Sequence, residues 1–196
     1  PVCVKEHLKP FLPVSRIEEY NKGYTLQEDL PQSIGKIHGF YGNFGVMLKA
    51  YSYILSMGPE FLKKASQYAV LNANYVKESL KDTLHLAYDR PCMHECVFSD
   101  KYQQDYKVAT LDMAKHLIDN GFHPPTVYFP LVVHGAIMCE PTETESKDTI
   151  DGFIEAFKSV AEDAKTKSEI LHAAPVNTKV KRLDEAGAAR NPCLTG

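Results

Sequence analysis

The sequence predicts an α+β fold in which an antiparallel sheet of about four strands carries helices on one face. Two observations predict it: apolar residues recur at helical spacing between residues 45 and 80, and alternation with a period of two begins after Asp82. The elements that follow run strand, strand, helix, strand, strand, helix, which is typical of one sheet layer covered by helices. With 196 residues and 44% hydrophobic composition, the chain can bury a sizeable core.

The long helical region is interrupted by a glycine. Gly58 is a stop signal and Pro59 begins a second helix, which continues to about Leu80. The pattern therefore predicts a helical hairpin or a kinked pair of helices.

Two pairs of strands follow from the alternation. "TLHLAY" and "MHECVFS" flank the turn-like "DRPC", and "TVYFPLVV" and "AIMCE" flank His134-Gly135. We predict a tight hairpin turn at His134-Gly135, with Gly135 at positive φ. Pro130 has no N–H to donate, so its strand should lie at an edge or a bulge of the sheet.

Two further helices carry start signals. Thr110 is predicted to cap a helix that ends at "NG", residues 120–121. "TETE" has the capping-box pattern, with Thr142 and Glu145 three residues apart, so Glu140 and Thr142 are interpreted as capping residues rather than substrate contacts. This helix has the most regular apolar stripe of the chain: Ile150, Phe153, Ile154, Phe157, Val160, Ala161 and Ala164.

The charge balance excludes several classes of partner. Lys and Arg number 22 against 25 Asp and Glu, with the signs interspersed, so no large positive field attracts nucleic acid or anionic lipid. No apolar run approaches the roughly 18 residues of a membrane span. We expect neither nucleic acid nor a membrane as a partner. The basic residues near the end are interpreted as a solvated tail: Lys179, Lys181, Arg182 and Arg190.

Cysteine usage and the amino end indicate the context of the chain. Five irregularly spaced cysteines do not resemble the framework of a secreted domain, so a reducing compartment is expected. The chain begins with Pro1 rather than Met, which suggests a piece of a longer protein. Prolines are frequent in residues 1–35, where we predict an irregular segment that wraps over another part of the protein.

"PCMHEC" places Cys92, His94 and Cys96 at alternate positions, a set that suggests a metal site. If the segment is a strand, the Cα atoms of Cys92 and Cys96 lie roughly 13 Å apart, whereas the sulfurs of two zinc-bound thiolates lie within about 4 Å. We therefore predict that no metal binds and that these residues pack on the sheet.

"GFYGNFG", residues 39–45, is rich in glycine and precedes a helix. Its backbone amides could hold a phosphate or a carboxylate. It lacks the Lys-Ser/Thr ending of a P-loop and follows no clear strand, so a simple helix-entry turn is the alternative.

Several stretches together resemble one known family: "SIGKIHGFYGNFGVMLKAYSYI", "AVLNANY", "HEC", "NGFHPPTVYFPLVVHGAIMCEPTETESKDTIDGFIEA" and "VKRLDEAGAARNP". They are similar to the carboxy-terminal part of glycine dehydrogenase (decarboxylating), the P-protein of the glycine cleavage system, and above all to subunit 2 of its two-subunit bacterial form. The resemblance extends over almost the whole chain, and "GFHPPT" and "EPTETES" are its most specific motifs.

The resemblance implies a pyridoxal-phosphate enzyme of fold type I, with this chain supplying the smaller carboxy-terminal domain. The cofactor is the electron sink while carbon dioxide leaves glycine, and the aminomethyl group passes to the lipoyl arm of H-protein. The implied partners are P-protein subunit 1, lipoylated H-protein and glycine, in the bacterial cytoplasm. The implied divisions are the end of the large domain (1–41), linking helices (42–81), the small α+β domain (82–165) and an extension (166–196).

The lysine that binds the cofactor in this family lies in an Asn-Leu-His-Lys-Thr stretch, and none of the lysines here has that context. The sequence begins just after the position expected for it. We therefore expect pyridoxal 5'-phosphate in the full-length enzyme but no cofactor and no catalysis for this chain alone. The alternative is a non-catalytic binding or regulatory module derived from this domain, which a start codon directly upstream of Pro1 would favour.

The resemblance also suggests site residues. Gly42, Asn43 and Gly45 follow the missing lysine at the distance at which fold type I enzymes often send a loop towards a neighbouring subunit's phosphate, so we predict that they contact the cofactor. His94 belongs to a His-Glu-Phe pattern in which Cys96 replaces Phe as a small core residue. We predict that His94 approaches the substrate carboxylate; the alternative is a histidine hydrogen-bonded within the sheet.

Overall fold

The computed structural model describes residues 2–195 and divides into two compact units after Gly58. Helix α1 (Phe44–Leu80) contributes to both units, because its backbone leaves the helical conformation at Gly58, where φ is 64° and ψ is 174°. The predicted stop at Gly58 is therefore confirmed. None of the helices in residues 2–195 combines the length and the apolar composition needed to cross a membrane.

The first unit contains a β-hairpin, β1 (Arg16–Tyr20) and β2 (Gly23–Gln27), paired antiparallel. Both turn residues, Asn21 and Lys22, have positive φ, the geometry of the tight turns that match strand twist. A 3-10 helix (Glu6–Phe11) precedes the hairpin. This regular structure differs from the irregular segment that the composition predicts. Between residues 2 and 58 no side chain is fully buried.

The second unit is built on a four-stranded antiparallel sheet, as predicted. Its strands are β3 (His85–Leu86), β4 (Cys96–Ser99), β5 (Thr126–Val127) and β6 (Ala136–Cys139). Their order in the sheet is β3-β4-β6-β5, and each neighbouring pair is antiparallel. The two edge strands have two residues each, so the central pair, β4 and β6, carries most of the ladder.

One face of the sheet joins the helices in a single core. In the β4–β6 register Cys96 lies opposite Cys139 and Phe98 opposite Ile137, and all four side chains are buried. The helices that cover them are the second half of α1, α2 (Thr110–Asp119) and α3 (Lys147–Thr166), which contribute Val76, Leu80, Met113, Leu117, Ile150, Ile154, Phe157 and Val160. The α+β prediction is confirmed.

Helix α3 has the predicted apolar stripe but starts later than predicted. Ser146 is its N-cap, because Ser146 Oγ accepts a hydrogen bond from the N–H of Thr149 at 3.1 Å. Thr142 and Glu145 form a turn before the helix, in which Glu145 N–H donates to Thr142 O. The capping box predicted at Thr142 is therefore wrong.

The connection between β5 and β6 also differs from prediction. β5 ends at Val127, and residues 128–135 form a loop rather than a strand with a tight turn at its end. Pro130 lies in this loop and cannot donate to a ladder, so the pairing stops early. β5 lies at the sheet edge, as Pro130 predicted, and Gly135 has the predicted positive φ of 62°.

Helix α2 begins beside a buried carboxylate, Asp100. The N–H of Thr110 donates to Asp100 Oδ2 at 3.0 Å, and Gln104 Nε2 donates to Asp100 Oδ1 at 2.7 Å. Thr110 Oγ1 lies 2.9 Å from Asp100 Oδ2 and 2.7 Å from Gly135 O, and its single hydrogen serves one acceptor at a time. The side chain that caps the helix start is thus Asp100. The sequence-based prediction that the Thr110 side chain caps it is wrong.

In the carboxy-terminal segment, helix α4 (Ser168–Ala173) packs on α2. Helix α5 (Glu185–Arg190) follows it and has no buried residue. Arg182 Nη2 lies 2.7 Å from Asp112 Oδ1 and also donates to Leu171 O at 2.9 Å. The interpretation of this basic segment as a solvated tail is therefore wrong for Arg182.

Candidate functional site

The register of the two central strands brings His94 and Glu140 together. Cys96 and Cys139 are paired, His94 lies two residues before Cys96, and Glu140 directly follows Cys139. The two segments therefore leave the sheet side by side. His94 Nε2 lies 3.6 Å from Glu140 Oε1 and 3.9 Å from an oxygen of Glu95, pairs that are ionic only when the imidazole is protonated.

His94 lies outside the sheet. Strand β4 begins at Cys96, and the His94 side chain is 55% exposed. The alternative of a histidine hydrogen-bonded within the sheet is therefore wrong. An exposed imidazole beside two carboxylates can bind a polar group or exchange a proton with it.

Two open cavities flank this pair. A cavity of about 590 Å3 is lined by His94 and Glu95 together with Lys77 and Arg90. Another, of about 520 Å3, is lined by Glu140. Both have the size of small-molecule pockets. The second also contains the two most specific motifs of the chain, since residues 121–126 ("GFHPPT") and residues from "EPTETES" face each other across it: Gly121, Phe122, His123, Pro124, Pro125, Thr126, Glu140, Pro141, Thr142 and Glu145.

The charge of Lys77 is compensated within the first cavity. Lys77 is buried, and its Nζ lies 2.7 Å from Glu78 Oε1 and donates to Arg90 O at 3.1 Å. Hydrogen bonds from Lys77 and Lys81 lower the pKa of Glu78 to about 2. Lys77 therefore serves the local structure and is not a free cation for a ligand.

The three residues of "PCMHEC" do not act together. Cys92 lies before β4, so the strand spacing on which the metal prediction depended does not apply to it. Cys96 is a buried core residue, as predicted, and a hydrogen bond with the Cys139 thiol and burial both raise its pKa, which keeps it a thiol. Burial also raises the pKa of Cys92. In residues 2–195 no three His, Cys, Asp or Glu side chains are grouped to hold a metal ion.

The glycine-rich turn belongs to the first unit, and His94 belongs to the second. Asn43 Oδ1 accepts a hydrogen bond from the N–H of Val46 at 3.1 Å and so caps α1. Gly42 has a φ of 121°, a conformation that side chains rarely adopt. The helix-entry turn is therefore present, and the backbone amides at the start of α1 face the same turn.

Glu140 was not recognised from the sequence as a partner of His94. Its local pattern indicated a helix cap, whereas its actual neighbour lies 46 positions away (140 minus 94) and is brought near by strand pairing. One signal was present: "HEC" and "CE" each place an acidic residue next to a cysteine of a predicted strand. Two such strands paired through their cysteines bring those residues to one end of the sheet.

A family model and two curated relatives of this chain all carry the description glycine dehydrogenase. A family model described as the glycine dehydrogenase C-terminal domain matches residues 65–182, more than half of the chain. A probable glycine dehydrogenase (decarboxylating) subunit 2 from Caldanaerobacter subterraneus subsp. tengcongensis is 57% identical over 99% of this chain. The corresponding protein of Oceanobacillus iheyensis is 53% identical over the same share. The chain spans 40% of the length of each of these relatives.

A solved structure shares the fold. The inhibitor-bound glycine decarboxylase (P-protein) of the glycine cleavage system matches 79% of this chain and 37% of that chain, with a TM-score of 0.61 and 16% sequence identity. This likeness supports the α+β fold.

Proposed function

The chain belongs to the glycine dehydrogenase C-terminal domain family, and from this premise we propose that it is the carboxy-terminal part of a pyridoxal-phosphate-dependent glycine decarboxylase. The complete enzyme releases carbon dioxide from glycine and passes the aminomethyl group to the lipoyl arm of H-protein. Its proposed partners are P-protein subunit 1 and lipoylated H-protein, in the bacterial cytoplasm. The similarity to subunit 2 proteins over 99% of the chain supports this assignment.

The observation that carries a role for this chain is the His94–Glu140 pair at the end of the sheet. We propose that His94 contacts the carboxylate of glycine. Glu140 and Glu95, whose carboxylate oxygens lie 3.6 Å and 3.9 Å from His94 Nε2, orient the imidazole. Through the cavity beside His94, glycine bound in the complete enzyme can reach the imidazole.

Gly42, Asn43 and Gly45 are proposed to contact the cofactor's phosphate in the assembled enzyme. The Asn43 side-chain oxygen already caps α1, so the contact falls to backbone N–H groups at the helix start, which favour anions. Glycine at positions 42 and 45 leaves room for close approach of a phosphate. The cofactor supplies the electron sink for loss of the carboxylate; these residues only bind and orient it.

The chain alone is expected to bind no pyridoxal phosphate covalently, because no lysine has the family's cofactor-binding context. Incubation with pyridoxal phosphate followed by borohydride reduction and mass spectrometry is expected to give only scattered, substoichiometric labelling. One lysine labelled stoichiometrically would contradict the expectation. The control is the intact protein with the upstream segment, which is expected to be labelled once.

His94→Asn in the intact enzyme is expected to lower kcat/KM for glycine by about 10- to 100-fold, since a charge-assisted hydrogen bond contributes about 1.5–3 kcal/mol. Most of the change should be a higher KM, because the contact exists before the chemical step. The measurement is glycine-dependent exchange of labelled bicarbonate with subunit 1 and lipoylated H-protein present. His7→Asn, at an exposed histidine of the 3-10 helix, is the matched control. Equal activity of the two variants would refute the role of His94.

A further inference from the structure

One stretch of helix α1 holds both loops that carry His94 and Glu140. The stretch is residues 72–77, with the sequence Asn-Ala-Asn-Tyr-Val-Lys, and we call it the 72–77 bracket. Its first four residues lie in the "AVLNANY" segment, residues 69–75, whose polar residues have no part in the function proposed above. Four of its side chains make hydrogen bonds to residues outside the helix.

Asn74 and Lys77 hold the loop that precedes β4. Asn74 Oδ1 accepts from the N–H of Cys92 at 3.0 Å, and Asn74 Nδ2 donates to the carbonyl of the same residue at 2.8 Å. A single side-chain amide thus satisfies both backbone groups of Cys92, two residues before His94. Lys77 Nζ donates to Arg90 O in the same loop, so the loop is fixed at two points.

Asn72 and Tyr75 hold the segment that follows β6. Asn72 Nδ2 donates to Thr142 O at 3.0 Å, two residues after Glu140. Tyr75 OH donates to Asp151 Oδ1 at 2.6 Å, which ties the first turns of α3 to α1. Hydrogen bonds from Lys147 and Tyr75 hold the pKa of Asp151 below its usual range.

The spacing of the four residues explains how one helix reaches both loops. Asn74 and Lys77 are three apart and share one side of the helix, and Asn72 and Tyr75 are three apart and share another. Within the described residues of the loop before β4, the backbone hydrogen bond runs from Arg90 N–H to Tyr88 O, and Cys92 has no backbone partner. The loop therefore depends on contacts with side chains of α1. At their other ends the two segments join β4 and β6, which pair with Cys96 opposite Cys139.

We propose that the 72–77 bracket is a positioning element of the site, in which Asn74 and Asn72 fix the two loops so that His94 meets Glu140. The bracket residues do not touch substrate and act through His94. This inference rests on the function proposed for His94.

Hydrogen exchange of the intact enzyme tests the anchoring directly. Asn74→Ala is expected to accelerate exchange of the Cys92 amide at least about tenfold, because its acceptor is lost, and to leave residues 142–145 unchanged. Asn72→Ala is expected to accelerate exchange of the Glu145 amide, because that amide donates to Thr142 O and the turn loses its tie to α1. It should leave Cys92 unchanged, so each variant controls for the other. Asn120→Ala, which removes an exposed bond to His116 O, should change neither segment. Unchanged exchange in both bracket variants would overturn the proposal.

A double-mutant cycle separates positioning from a merely structural role. Asn74→Ala is expected to lower kcat/KM for glycine about tenfold in the otherwise native enzyme but less than about twofold when His94 is already alanine. Multiplying effects would overturn the proposal even if exchange is accelerated. If His94→Ala alone leaves kcat/KM unchanged, the proposed role of His94 is refuted. The exchange pattern then decides the bracket: localised acceleration supports it as an anchor of the two loops, and its absence overturns it.

Discussion

Replacement of Phe157 by alanine is expected to lower the free energy of unfolding by about 3–5 kcal/mol. The Phe157 ring is 0% exposed and meets Phe153 edge to face, with ring centroids 4.9 Å apart and planes at 86°. Truncation removes the hydrophobic contribution of a whole ring and leaves a cavity between α3 and the sheet, which close-packed neighbours fill only in part. Urea denaturation followed by circular dichroism measures the loss.

Phe129→Ala is the matched control for this prediction. Phe129 lies in the loop between β5 and β6 of the same unit and is 51% exposed. Its truncation is expected to cost less than about 1 kcal/mol, because a half-exposed side chain gives up little burial and leaves no cavity. Similar losses for Phe157→Ala and Phe129→Ala would show that the core is not where the structure places it.

Alanine at Gly135 is expected to cost about 3 kcal/mol. The φ of 62° is strained for a residue with a side chain, at about 1–2 kcal/mol. The added Cβ would also collide with the carboxylate of Asp100 and displace it from Thr110 and Gln104, and loss of hydrogen bonds by a buried carboxylate costs about 1–3 kcal/mol. Thermal and urea unfolding both report the change.

Gly121→Ala isolates the backbone contribution. Gly121 also has a positive φ, 82°, but nothing lies within 4 Å of an added Cβ. Its replacement is expected to cost only the strain of about 1–2 kcal/mol. If Gly135→Ala is no worse than Gly121→Ala, the contact with Asp100 contributes nothing, and the capping of α2 by that carboxylate is not a source of stability.

The helices were the most predictable part of the fold, for a local reason. The stripe from Ile150 to Ala164 repeats within one segment, so it could be identified without knowledge of its partners. The structure buries all of its residues except Phe153, which is partly buried. The errors concern features that depend on distant residues. In the sequence Arg182 looks like a solvated basic residue, but in the structure it contacts Asp112. Thr110 looks like a helix cap, but Asp100 is the residue that caps α2.

The candidate site was predictable in part for the same reason. His94 could be proposed from the sequence because its motif is local, and its place outside the sheet follows from where β4 begins. Glu140 and the two asparagines of the bracket could not be assigned, because their neighbours are set by strand register and by the side of α1 that meets each loop. The helical spacing of Asn72 with Tyr75 and of Asn74 with Lys77 was visible in the sequence. The segments to which these side chains donate or from which they accept hydrogen bonds were not.

The two-residue edge strands have a consequence for aggregation. A β-sheet recruits a strand from another molecule through a long row of unpaired backbone groups at its edge. Here β3 and β5 each have only two residues, and Pro130, three residues after β5, has no N–H to donate to an added strand. Edge-to-edge stacking of the second unit into fibres is thereby disfavoured, and association with other protein surfaces falls to side chains rather than to strand addition.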